Sequence, residues 1–204
     1  TYVVSTIIEG IVTIGNAVDS SALFSGFTIT GDFTNRGLDI LSDHNVLIEH
    51  VKIIGVGGVH VNNATVRLYE MTIKQNSRTD EGGGIKIYNS TVELVNAVID
   101  SNASTSNYGG GVMVQQSTVT MNGVEITNNT SNSRGGGIYI QSSSQLLIDN
   151  VKVNNNHAND YGGGIYSTES VLNVNNALFS NNYSGLWGGA IWNNNNCNVE
   201  NSTF

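Results

Sequence analysis

Gly135-Gly136-Gly137-Ile138-Tyr139-Ile140 is one of five similar stretches that recur along the 204-residue chain. Each stretch begins with glycines and continues into a short apolar run. The five stretches start at Gly82, Gly109, Gly135, Gly162 and Gly188, so the steps between them are 27, 26, 27 and 26 residues. A period in this range is typical of stacked repeats, in which each unit buries its apolar side against its neighbours. The period therefore predicts a solenoid.

Each repeat contains three segments in which apolar and polar residues alternate. In one repeat these segments are 112–114, 119–121 and 124–126. Alternation with a period of two places successive side chains on opposite faces of a strand. We therefore predict an all-β fold, a single-stranded parallel β-helix with three strands per coil, about 26–27 residues per coil and about seven to eight coils.

An asparagine follows the third strand of each repeat at a fixed distance from the glycines. Asn tolerates left-handed turns, and its amide can hydrogen-bond to copies of itself along a stack. We therefore predict an inward structural ladder formed by Asn76, Asn102, Asn129, Asn156 and Asn182. The glycines mark a second corner, where the backbone needs positive φ or close approach. Longer turns, such as 101–108, separate the two corners.

The repeat pattern predicts a single β-helix domain over residues 1–204. The coils of residues 1–56 are less regular, whereas residues 57–204 carry the regular Gly and Asn repeats. The sequence stops at Phe204 in mid-coil, and we interpret this end as a truncation of a longer, secreted protein.

Composition narrows the classes of partner. The formal net charge is −8 and only 12% of the residues are charged, so the chain lacks the basic surface that binds nucleic acid. No apolar run approaches the ~20 residues that span a membrane, and we predict no membrane span in this chain. Cys197 is the single cysteine, which excludes an internal disulfide, and we expect it to fill a small core position.

Several motifs resemble those of a known family. GGGIYI (135–140), GGAIW (188–192) and FSNN (179–182) resemble the GGA(I/L) and FxxN repeats of polymorphic outer-membrane proteins and adhesin-like β-helix proteins. LFSGFTITG (23–31) resembles the opening coils of secreted proteins in the pectin-lyase-like superfamily. The resemblance implies a right-handed β-helix at the cell surface or outside the cell. That superfamily includes polysaccharide lyases, hydrolases and epimerases as well as non-catalytic adhesins, so activity has to be argued from the site.

The middle residue of the strand after each glycine stretch is predicted to point outward. These residues form a ladder of Asp39, His60, Lys86, Met113, Tyr139, Tyr166 and Trp192. The aromatic half predicts a solvent-facing row on which sugar rings stack, and the row is extended by Tyr108, Tyr161 and Trp187. The alternative is structural, because strands favour Tyr and Trp and neighbouring aromatic rings stabilise one another.

The polar half of the ladder consists of Asp39, His60 and Lys86. A carboxylate, an imidazole and an ammonium on consecutive coils are the groups that a polysaccharide lyase needs as general base and charge stabiliser. The alternative is a ladder of paired charges on a solvated face. Arg36 is expected to be a loop or surface group, and Asp39 has no apparent acidic neighbour on this face.

The acidic residues do not predict a metal site. Asp80, Glu81 and Asp100 are expected at different corners, and Glu81, Arg134 and Tyr161 share one corner position of mixed charge. We therefore predict no cofactor, with calcium as the alternative.

The function predicted from these features is a non-catalytic, adhesin-like module that binds a polysaccharide, another glycan or a surface protein along its aromatic face. Regular coils and short loops favour it, because β-helix enzymes usually carry long loops that wall a cleft. One alternative is a polysaccharide lyase or hydrolase. Another is a structural fibre, because uncapped coils expose strand edges that invite end-to-end self-association.

Overall fold

The structure is a computed structural model that describes residues 6–16 and 21–204. Residues 1–5 and 17–20 of the predicted domain lie outside the described residues. Over the described part the chain winds as a parallel β-solenoid of about seven turns and contains no helix. The predicted all-β, parallel β-helix fold is therefore confirmed. The described residues accordingly include no helix that could cross a membrane.

Three eight-stranded sheets form the walls of the solenoid. Sheet 1 contains Thr6–Glu9, Phe27–Thr30, Lys52–Ile54, Thr72–Lys74, Val98–Asp100, Glu125–Thr127, Lys152–Asn154 and Leu178–Ser180. Sheet 2 contains Val12–Ile14, Leu38–Ile40, Val59–Asn62, Ile85–Tyr88, Val112–Gln115, Ile138–Gln141, Ile165–Ser167 and Ile191–Asn193. Sheet 3 contains Leu23–Ser25, Val46–Glu49, Thr65–Tyr69, Thr91–Val95, Thr118–Asn122, Gln145–Asp149, Val171–Asn175 and Asn196–Glu200. Each coil passes from sheet 1 to sheet 2 and then to sheet 3.

A fourth, narrow sheet lies between sheets 1 and 2 in chain order. Its five strands are two residues long: Ser77–Arg78, Ala103–Ser104, Thr130–Ser131, His157–Ala158 and Tyr183–Ser184. The sequence predicts only a turn in this segment, because two residues are too few to show an alternating pattern. The long turns between the Asn and Gly corners are therefore partly ordered as sheet 4.

The core is a column of aliphatic side chains that stack coil on coil. In sheet 1, Ile53, Ile73, Ile99 and Ile126 are in register on consecutive strands, and all four are fully buried. Each such side chain contributes roughly 1.5–3 kcal/mol by leaving water. The repeat of the sequence therefore becomes a repeat of packing along the solenoid axis.

Cys197 differs from its predicted core role. It pairs in register with the fully buried Leu172 on sheet 3, so it occupies an inward position. Its side chain is nevertheless exposed, and its strand is the edge of sheet 3 within the described residues. The expectation of a buried core residue is therefore wrong.

The asparagines of the corner after sheet 1 hydrogen-bond in series. Asn129 illustrates the pattern: its Nδ2 donates to Oδ1 of Asn156 at 3.0 Å and to the carbonyl of Ile99 at 2.9 Å. Its own Oδ1 accepts from the backbone nitrogen and from Nδ2 of Asn102, at 2.9 and 3.0 Å. The same bonds recur for Asn102 and Asn156, whereas at the two ends Nδ2 of Asn182 donates to the carbonyl of Val153 and Oδ1 of Asn76 accepts from the backbone of Val56.

Candidate functional site

One outward face of the solenoid collects most of the candidate residues. We call its first row the strand column. On adjacent strands of sheet 2, the structure places in register Asp39, His60, Lys86, Met113, Tyr139, Tyr166 and Trp192. The register is kept even between Asp39 and His60, where the step is only 21 residues.

A second row, the corner column, lies beside the strand column. It consists of the residues that directly precede the glycine stretches: Glu81, Tyr108, Arg134, Tyr161 and Trp187. Parallel bridges join Arg134 to Tyr161 and Tyr161 to Trp187. The corner column therefore repeats once per coil along the regular part of the solenoid.

The glycines fold the corner column onto the strand column. Gly135 has a φ of 65°, and a Cβ added to it would lie 2.8 Å from Cβ of Tyr139. Gly162 has the same φ, and its added Cβ would lie 2.8 Å from Cα of Tyr166. Because only glycine fits a left-handed turn this close to the strand, the turn lies against the outward side chains and partly covers them.

The aromatic half of the strand column is a buried stack. The ring centroids are 5.1 Å apart for Tyr139 and Tyr166 and 4.4 Å apart for Tyr166 and Trp192, and Tyr108 of the corner column stacks on Tyr139 at 4.6 Å, all with interplanar angles of 12° or less. Tyr139 is 2% and Tyr166 5% exposed. The predicted solvent-facing row is therefore wrong for these two residues, because each ring face is covered by the next ring and by the corner column.

The accessible aromatic surface belongs to the corner column. Trp187 is 67% exposed, and Tyr161 and Tyr108 are half-buried. The rings of Tyr161 and Trp187 are 5.6 Å apart and tilted by 50°. Trp192, at the end of the stack, is also half-buried.

Burial raises the pKa of Tyr139 to about 12, so its phenol stays neutral at physiological pH and its Oη donates to Gln141 at 2.9 Å.

Arg134 lies among these rings. Its Cζ is 5.7 Å from the ring centre of Tyr108, 5.5 Å from that of Tyr161 and 5.3 Å from that of Tyr166. A guanidinium at this distance is attracted to the ring faces. Its Nη1 also donates a long hydrogen bond of 3.4 Å to the phenol oxygen of Tyr166. The aromatic surface is therefore cationic at its centre.

The polar half of the strand column opens into a cleft of about 290 Å³. The cleft is lined by Ile11, Thr34, Asn35, Arg36, Asp39, His60, Arg78, Asp80 and Lys86. The structure thus brings together the three residues predicted as a catalytic group, Asp39, His60 and Lys86. It also brings in Arg36, which lies near the group in sequence, and Arg78 and Asp80, which the prediction does not include.

His60 and Asp39 form a pair in this cleft. Nδ1 of His60 is 3.3 Å from Oδ1 of Asp39. Burial lowers the pKa of His60, and the charge of Arg36 lowers it further, although Asp39 partly opposes both. The imidazole is therefore neutral at physiological pH. With its Nδ1 proton shared with Asp39, its Nε2 is available as a base.

Arg36 is not a surface group, contrary to expectation. Its side chain is 8% exposed and donates to the carbonyls of Gly57, Glu81 and Gly82 at 3.1, 2.7 and 2.6 Å. It also pairs with Asp80 at 3.3 Å. Burial lowers the pKa of Arg36 to about 10, and Asp80 opposes this shift. Arg36 therefore ties together backbone from three successive coils and remains charged beneath the cleft.

Two further acidic residues accompany Asp39: Asp80 lines the same cleft, and Glu81 follows it in the chain. Asp80 accepts from Nε of Arg78 at 2.8 Å, and Glu81 pairs with Lys86 at 3.1 Å. Although burial opposes it, the hydrogen bond from Arg78 and the charge of Arg36 hold the pKa of Asp80 below its usual value. The expectation that Asp39 has no acidic neighbour on this face is therefore wrong. In residues 6–16 and 21–204, no group of three or more His, Cys, Asp or Glu side chains is placed to hold a metal ion.

The position of Asp80 and Glu81 in the sequence offered a signal. Glu81 directly precedes Gly82 and Asp80 precedes Glu81, so Glu81 occupies the corner position that Tyr108 and Arg134 occupy in later coils. In the five coils that contribute a strand to sheet 4, the corner residue follows sheet 4 and precedes sheet 2. Recognition that the corner folds back over the strand would have placed Glu81 beside Lys86.

Comparison with known families gave one match. The family model described as "Right handed beta helix region" matches residues 36–204, well over half of the chain. The comparisons with curated proteins and with solved structures found no match.

Proposed function

The chain belongs to the right-handed β-helix family, and from this premise we propose that it is a non-catalytic, extracellular or cell-surface module that binds a glycan along the corner column. The single observation that carries this proposal is the exposure of Trp187 beside Tyr161 on an edge that repeats once per coil. Sugar rings present flat C–H surfaces that pack on aromatic faces. A row of rings in this arrangement suits a linear chain of sugars.

The buried stack supports this function by holding the exposed rings rigid. Tyr161 contacts both Tyr166 and Trp192 at ring-centre distances of 6.4 and 5.9 Å. Because these rings are fixed before a ligand arrives, binding does not lose side-chain freedom at the moment of contact. The structural interpretation therefore applies to the buried rings of Tyr139 and Tyr166, and the proposed ligand-binding one to the more exposed rings around Trp187.

The experiment uses the two tryptophans of the chain as reporters. Trp187 and Trp192 are the only tryptophans in the sequence, and both lie on the proposed face. We expect addition of a bound polysaccharide to change the intrinsic fluorescence, and native gels cast with that polysaccharide to retard the band. Trp187→Ala should weaken retardation by about tenfold in affinity, or 1.4 kcal/mol.

A matched control is Tyr69→Ala, which removes a half-buried aromatic ring from sheet 3. This variant should be retarded like the wild type. Equal retardation of the wild type and Trp187→Ala would contradict the proposal, as would the absence of binding across neutral and acidic polysaccharides. Binding of a surface protein with no response to any polysaccharide would favour a protein-directed adhesin instead.

A second candidate function, cleavage of an acidic polysaccharide, is favoured by the His60–Asp39 pair in the cleft. In this function Nε2 of His60 takes the proton from the carbon next to a uronate carboxylate. The electrons of that C–H bond form a C=C bond to the neighbouring ring carbon, the glycosidic C–O bond of that neighbouring carbon breaks, and the departing oxygen takes up a proton from water. Lys86 and Arg36 would stabilise the negative charge that develops on the carboxylate.

The test of this second function is the ultraviolet absorbance of the unsaturated uronate product. We expect His60→Gln to abolish product formation, because Gln keeps the polarity of the site but cannot accept the proton. His157→Gln is the control, since His157 lies on sheet 4 with its ring 5.1 Å from the tilted ring of Tyr183. Equal product formation by the wild type and His60→Gln would exclude this role. If no polyuronate yields product, cleavage is excluded and glycan binding remains the proposed function.

A further inference from the structure

We propose that Arg134 recognises a carboxylate of the bound sugar, so that the module prefers polysaccharides of uronic acids to neutral ones. The inference rests on glycan binding along the corner column. It specifies the chemical class of the ligand and the residue that recognises it.

Arg134 lacks the acidic partner that most other cations of the chain have. Six of the eight Lys and Arg residues lie within 4.0 Å of a carboxylate: Arg36, Arg67, Lys74, Arg78, Lys86 and Lys152. Arg134 and Lys52 have no such partner among residues 6–16 and 21–204. The acceptor found for Nη1 of Arg134 is the phenol oxygen of Tyr166 at 3.4 Å, and its buried Nε has no hydrogen-bond partner among the described residues. The positive charge of Arg134 is therefore not neutralised by a carboxylate within the described structure.

The aromatic surroundings make this charge a selective site. Tyr108, Tyr161 and Tyr166 enclose the guanidinium with ring centres 5.3–5.7 Å away. Rings shield the cation from water on several sides, and an ion pair is stronger where water is excluded. The planar guanidinium also matches a carboxylate with two parallel N–H···O bonds.

The location of Arg134 suits a sugar ligand better than the polar cleft does. In the corner column, Arg134 stands between Tyr108 and Tyr161, with a coil stacked on each side of it. A uronate whose carboxylate meets Arg134 can place its ring, or the next one, over Tyr161 and Trp187. In the cleft, by contrast, Lys86 is already paired with Glu81, and Arg36 and Arg78 with Asp80. An anion therefore gains more at Arg134.

The experiment compares acidic polysaccharides with their methyl esters, which lack the negative charge of the carboxylates. Polymannuronate and polygalacturonate are titrated into the full chain in parallel with their methyl esters, and tryptophan fluorescence is followed. We expect the wild type to bind at least one acid about tenfold more tightly than its ester. Arg134→Met, which keeps the apolar stem, should bind the acid and the ester equally, whereas Arg134→Lys should retain part of the preference.

Lys52→Met is the matched control, because it removes the other cation without an acidic partner in the described structure and lies on sheet 1. It should keep the full preference. Equal binding of acid and ester by the wild type, or an unchanged preference in Arg134→Met, would overturn the role of Arg134 while glycan binding stands. Failure of all four polymers and of neutral polysaccharides to bind would overturn the proposed function as well. A melting temperature of Arg134→Met close to that of Arg134→Lys shows that the loss of charge, and not of folding, is being measured.

Discussion

The backbone of Gly135 lies directly against Tyr139, so close that a methyl group on the glycine would stand 2.8 Å from Cβ of the tyrosine. This contact couples the repeat that builds the solenoid to the surface that is proposed to bind a ligand. The same glycine both turns the chain and covers the outward ring of its own coil.

Gly135→Ala should destabilise the fold by about 2–4 kcal/mol, from the left-handed φ of 65° and from overpacking against Tyr139. The measurement is urea unfolding. Gly15→Ala is the control, because a Cβ there meets nothing within 4 Å and the backbone is not left-handed. Similar unfolding free energies for both variants would show that the close approach at Gly135 is not required.

Asn129→Ala should cost about 3 kcal/mol or more, because it leaves the carbonyl of Ile99 and the amide of Asn102 without partners inside the solenoid. Asn122→Ala, at an exposed position, should change stability by less than about 0.5 kcal/mol. Denaturant unfolding of both variants measures the difference. A loss at Asn129 no greater than that at Asn122 would mean that the buried ladder does not stabilise the fold.

Arg36→Met should destabilise the fold by about 3–5 kcal/mol, because it removes one partner of a buried pair and frees the carbonyls of Glu81 and Gly82. Arg67→Met is a matched control. Its pair with Glu93, at 2.7 Å, is exposed to solvent, so its removal should change stability far less. Thermal and denaturant unfolding distinguish the two, and equal losses would remove the case for Arg36 as a clamp between coils.

His60 should make stability depend on pH. Its pKa is lowered in the folded chain by burial first and by Arg36 second, so the unfolded chain binds more protons just below the ordinary histidine value of about 6.5. Stability should therefore be fully present above that value and be lost as pH falls toward the native pKa. The lowered pKa values of Asp80 and Asp100 act in a separate window, below about pH 4.

The check is the melting temperature of the wild type and of His60→Gln between about pH 5 and 7.5. The variant should lose much of the slope over this range. His44→Gln serves as the control, because His44 is half exposed beside Asp43, and should keep the slope. If the dependence of melting temperature on pH is unchanged in His60→Gln, groups other than His60 cause it.

The sequence predicts the repeating part of this fold well, because every repeat has the same order of strands, turns and inward residues. The register of Tyr139 on Tyr166, for example, follows from the constant spacing of the glycines. Burial does not follow from spacing, since it depends on how far the turn at Gly162 folds over the strand. For this reason the solvent-facing prediction fails at Tyr139 and Tyr166 and is replaced by the exposed Trp187.

The polar cleft shows a second limit. Arg36 finds its partners 44–46 residues later, at Asp80, Glu81 and Gly82. It lies in the irregular first coils, where the 21-residue step from Asp39 to His60 breaks the period. A residue whose contacts cross two coils at the irregular end carries no periodic signature, so its burial can be recognised only in three dimensions.

The strand pairing of this solenoid also determines how it would respond to a pulling force. Hydrogen bonds between neighbouring coils run along the solenoid axis, so tension applied between its ends loads them one row at a time. Coils would then peel off singly, each releasing 26–27 residues, or about 90 Å of extended chain. A protein built in this way would extend in steps under load and so limit the force transmitted between the molecules attached to its two ends.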